Sequence, residues 1–89
     1  MGFFTKKKKI DYNTLFKDKY KSINQLTMQA NNELDFTVKE SLWALVVEEY
    51  NELISYIDQG ADFDKEHFIS LQKSAEKELD MVRNVNKDA

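Results

Sequence analysis

Apolar positions in this 89-residue chain recur with a period near 3.6 in three separate stretches, which predicts three α-helices. The first runs from about Asp11 to Leu34 and places Tyr12, Leu15, Phe16, Ile23, Leu26, Ala30 and Leu34 on one face. The second runs from about Thr37 to Gln59. Its opening, Thr37-Val38-Lys39-Glu40, reads as a capping box in which two side chains satisfy orphan backbone donors reciprocally. Gly60 then supplies the left-handed residue that stops it. The third begins at about Asp64, whose carboxylate suits the positive end of a helix, with Phe63 and Phe68 placed as a hydrophobic staple. It continues through Leu71, Ala75, Leu79 and Val82 to about Val85. Proline is absent and glycine occurs only at positions 2 and 60, so little interrupts these patterns. Connections of a few residues make neighbouring helices antiparallel. The expected fold is all-α, an up-down-up three-helix bundle over 11–89 preceded by a basic tail over 1–10.

The second helix is broader in its apolar face than one neighbour needs. Its hydrophobic positions spread over roughly 200° when projected at 100° per residue. A central helix flanked by two partners requires such a stripe. A surplus strip facing a partner protein or a second copy requires it too. Interfaces favour Trp and Tyr anchors, so Trp43, Val47, Tyr50 and Ile54 are the expected contact residues if the strip is exposed.

Three inward-facing arcs also carry charge: Lys19 on the first helix, Glu49 on the second and Glu78 on the third. Long charged side chains are rarely buried unless paired, so Lys19 with Glu49 or Glu78 is the expected partly buried ion pair. A second reading gathers carboxylates around a divalent ion. The run Val47-Glu48-Glu49-Tyr50-Asn51-Glu52 resembles the EExxE motif of the all-α nucleotide pyrophosphatases of the MazG-like and dimeric dUTPase group. That resemblance implies magnesium held by Glu48, Glu49 and Glu52 above a nucleotide's phosphates. Glu76 and Asp80 on the third helix stand where the family's second acidic pair falls, spaced four apart rather than three.

Composition narrows the functional classes. There are no cysteines, which removes disulfides, zinc-thiolate sites and thiol catalysis together. His67 is the single histidine, and two glycines are too few for a phosphate loop or a nucleophile elbow. Sixteen acidic residues face thirteen basic ones, and four of the basic ones are Lys6, Lys7, Lys8 and Lys9. The rest of the chain is therefore at −7, nine basic residues against sixteen acidic, which repels nucleic-acid phosphates. No apolar run spans a bilayer and no signal-peptide pattern precedes the helices, so the expected location is the cytoplasm. Phe3 and Phe4 beside the four lysines offer a weak contact with an anionic inner membrane surface, or with an acidic protein surface. The resulting expectation is a small, non-enzymatic regulatory or interaction protein, without a cofactor, that shows an apolar and acidic helical face to a protein partner. Adaptor, immunity and phage-encoded inhibitor proteins have this character. A magnesium-dependent pyrophosphohydrolase is the alternative.

Overall fold

The computed structural model describes residues 10–88 and contains three antiparallel helices: α1 (Tyr12–Asn32), α2 (Phe36–Gln59) and α3 (Lys65–Asp88). The second and third are each 24 residues, about 36 Å at 1.5 Å per residue. No described helix is long and apolar enough to cross a membrane. The tail residues Phe3, Phe4, Lys6, Lys7, Lys8 and Lys9 lie outside the described residues.

Each helix starts on an aspartate. Asp11 Oδ1 accepts from the backbone N–H groups of Asn13 and Thr14 at 3.1 and 3.2 Å, while Oδ2 accepts from the Thr14 hydroxyl at 2.7 Å. Those bonds, the Thr14 hydroxyl foremost, hold the Asp11 carboxyl below its ordinary pKa. Asp64 Oδ1 likewise accepts from Glu66 and His67. Its flanking staple forms, with the Phe63 and Phe68 rings edge to face at 6.4 Å.

The start of α2 differs from the sequence expectation. Asp35, not Thr37, is the cap, and its Oδ1 accepts from Thr37 N–H at 2.9 Å and Val38 N–H at 3.4 Å. A carboxylate is at least as good a cap as threonine, and it brings negative charge to the positive helix end. The reciprocal half of the box comes from upstream, where Glu33 Oε2 accepts from Asp35 N–H at 3.0 Å. The chain leaves α2 through a Schellman turn. Gly60 N–H donates to the Ile57 carbonyl and Ala61 N–H to that of Tyr56, with Gly60 at φ 137°.

The core is a single column. Phe16, Ile23 and Ala30 face inward from α1, seven residues apart, and meet Trp43, Val46, Tyr50 and Leu53 of α2. Phe68, Ala75, Leu79 and Val82 close it from α3. Both outer helices pack on α2, while the Cα atoms of α1 and α3 stay more than 8 Å apart. Large rings bridge that gap at one end. Phe16 stacks on Phe63 at 4.0 Å and meets Phe68 edge-on at 4.8 Å, and Tyr20 meets Phe68 at 5.2 Å. Asn13 Oδ1 accepts from Asp62 N–H at 2.8 Å and ties the α2–α3 turn to α1. Two residues expected on the buried face of α1 fall outside it: Leu15 is exposed, and Leu34 is 90% exposed because the helix has ended two residues before it.

Candidate functional site

The centre of the broad apolar face of α2 is buried inside the chain, while its edge at Val38 and Leu45 is exposed. Trp43 and Tyr50 are 4% and 6% exposed, and Val47 and Ile54 are half-buried against the same core. Flanking by α1 and α3 accounts for the wide stripe. The expected contact strip around Trp43 and Tyr50 is therefore core rather than surface. Burial, with a lesser contribution from Tyr20, also raises the Tyr50 pKa, so its phenol stays neutral. A cleft of about 210 Å³ between α1 and α3 reaches this layer, lined by Thr27, Leu71, Ser74 and Glu78 among others. The Trp43 indole N–H is buried there without an acceptor among the described residues. Glu78 lies in this cleft, half-buried, and does not join Lys19.

Lys19 instead leans to the outer α1–α2 seam. Its ammonium donates to Glu49 Oε1 at 2.7 Å and to Glu52 Oε1 at 3.0 Å. The expected ion pair thus forms with Glu49 and is completed by Glu52 in place of Glu78. Glu52 Oε2 also accepts from the Tyr56 hydroxyl at 3.1 Å. The Glu49 hydrogen bond is the main cause that raises the Lys19 pKa, against partial desolvation. Lys19, then Tyr56, depress that of Glu52. The same contacts bear on the magnesium reading. A lysine ammonium already sits between the two carboxylates a cation would need, and Glu48 points out on the α3 side of the helix. Among the described residues, no group of three acidic or histidine side chains is placed to hold a metal. His67 is exposed with its ring edge-on to Phe68 at 5.0 Å.

An open groove of about 860 Å³ runs along the α2–α3 seam. Ala44, Leu45, Val47 and Leu79 make its floor, and Glu48, Glu76 and Asp80 stand on its rim beside Arg83. Leu45 is 40% exposed there. Arg83 is turned to Glu40, Nε to Oε2 at 3.4 Å, which offsets one cation and leaves three carboxylates on the rim. The walls are fixed from both ends. Gln72 Nε2 donates to the Val47 carbonyl at 3.1 Å and to Asn51 Oδ1 at 2.7 Å, and Asn86 Nδ2 donates to the Phe36 carbonyl and to Glu40. Of the four contact residues expected from sequence, Val47 alone reaches this groove. Pattern reading misses the groove because its floor mixes the edge of one apolar stripe with that of another. The available signal is Leu45, which projects well away from Trp43 on the helix.

The chain matches no family model, and neither the curated proteins nor the solved structures contain a match to it.

Proposed function

We propose that this chain is a non-enzymatic binding module whose α2–α3 groove receives a basic, partly apolar segment of a protein partner. The observation that carries the reading is the pairing of an apolar floor (Ala44, Leu45, Val47, Leu79) with a carboxylate rim (Glu48, Glu76, Asp80) in one groove. The floor offers burial for one face of an amphipathic helix, and the rim selects lysine or arginine on its flanks. The −7 charge of the body draws a basic segment toward the groove at long range. Anchoring Gln72 and Asn86 to α2 keeps the walls rigid, which lowers the ordering entropy that binding must overcome. The mode of action is occupancy: the module covers a basic helical segment of another protein, as an adaptor or an inhibitor does.

The test is NMR titration of the full chain with a synthetic amphipathic helix carrying leucine on one face and lysine on the other. Saturable methyl shifts at Leu45, Val47 and Leu79 are expected, abolished in a Glu76→Lys/Asp80→Lys variant. A Asp62→Lys/Glu66→Lys variant, at the far end of α3, should keep them. Shifts that both variants lose equally, or that map elsewhere, would overturn the groove as the site.

A further inference from the structure

A different face of the molecule is poor in charge. Residues 22–32, SINQLTMQANN, form the longest uncharged run in a chain that is 33% charged, and they make the second half of α1. Their outward side joins the start of α2 in a groove of about 680 Å³ lined by Gln25, Met28, Gln29, Asn32, Val38 and Leu42, with Glu33 at its edge. Met28 is 64% exposed, Val38 44%, and Leu34 beside them in the connection 90%. Its one ionic lining residue, Glu33, is engaged in capping and accepts from Asp35 N–H, while Lys39 donates to the carbonyls of Asn31 and Glu33 at 3.3 Å each.

We infer that this face is where two copies of the chain meet. Depletion of charge together with exposed methionine and aliphatic groups is the compositional mark of an interface core. Electrostatics names the occupant. Two bodies at −7 repel one another wherever their carboxylates face, and only an uncharged surface lets them approach. Amide side chains each carry a donor and an acceptor, so a surface rimmed by Gln25, Gln29 and Asn32 is complementary to itself, as a two-fold contact demands. A charged partner finds only the Glu33 carboxylate here, which already accepts from Asp35 N–H. The α2–α3 groove has its rim on α3, which contributes nothing to this surface, so the inference rests on different residues from the binding proposal.

Sedimentation equilibrium of the full chain across a salt series tests the inference. A monomer–dimer equilibrium is expected, and its dissociation constant should fall as salt screens the repulsion between the two acidic bodies. Ion-pair contacts would show the reverse trend. Met28→Glu with Gln25→Glu puts like charges opposite each other across the two-fold axis. It should raise the dissociation constant by roughly tenfold or more, the scale of an interface anchor, with an unchanged helical circular dichroism signal. Lys77→Glu, an exposed change on α3 that alters the net charge by the same two units, should leave it nearly unchanged. A chain that stays monomeric at all salts, a dimer that salt weakens, or one that Lys77→Glu disrupts and Met28→Glu/Gln25→Glu does not, overturns the assignment.

Discussion

The two ends of this bundle are built on opposite principles. At the end holding the α2–α3 turn, Phe16, Phe63, Phe68 and Tyr20 form a stacked and edge-to-face cluster that spans the distance between α1 and α3. The turn is closed by a Schellman motif and pinned to α1 through Asn13. At the other end α1 presents Ala30 to the core, where it presents Phe16 at the first. There the chain leaves Met28, Leu34, Phe36, Val38, Met81 and Val85 substantially in water. Most of the exposed large apolar side chains thus gather at the second end, with Ile10 and Leu15 exposed at the first. Aromatic packing stabilises one end within a single chain, and the other gains only when something covers it.

Mutations at matched positions break or sharpen that contrast. Phe16→Ala removes a ring that is 1% exposed and stacks on two others, so it should cost about 3–5 kcal/mol in urea unfolding. Leu34→Ser at the open end should stay within about 0.5 kcal/mol for the monomer. Equal losses at the two sites would erase the distinction. Next in size is Gly60→Ala. A Cβ there meets Tyr12 Cδ2 only at an ordinary 3.8 Å, so the expected cost of about 1–2 kcal/mol comes from the positive φ and not from crowding. Asp64→Ala removes the α3 cap beneath the aromatic cluster and should cost about 1 kcal/mol.

The smallest effect concerns pH. Because Lys19 and Tyr56 hold the Glu52 carboxyl below its ordinary value near 4.5, its contribution is complete above that value and is lost as pH falls through the depressed one. In the Lys19→Met variant that part of the acid destabilisation should shrink. Unfolding midpoints of the two proteins between pH 7 and pH 3 measure it, and parallel pH profiles would contradict the role given to Lys19.

The helices were legible because periodicity and caps are local. Asp11, Asp64 and Gly60 each act through hydrogen bonds within a few residues, and Asp64 and Gly60 do as the sequence suggests. Asp35 outcompeting Thr37 shows the limit, since two acceptable caps stood two residues apart. Positions decided by three-dimensional neighbours were harder. The breadth of the α2 stripe was visible, but whether Trp43 faced a second chain or the other two helices depended on how α1 and α3 flank it. Lys19 reaching Glu52 in place of Glu78 reflects a choice between the outer seam and the inner cleft, which helical projection of single elements does not contain. The uncharged run at 22–32 was in plain view, yet it gains meaning only beside Val38 and Leu42 of the next helix.

Amide hydrogen exchange of the full chain at two protein concentrations tests the central contrast most directly. Helical amides around Phe16, Leu53 and Phe68 should be strongly protected at both concentrations. Those of residues 25–40 should gain protection only at the higher one, as a second chain covers them. Uniform protection along the bundle, or protection near Met28 and Val38 that does not change with concentration, would contradict the account.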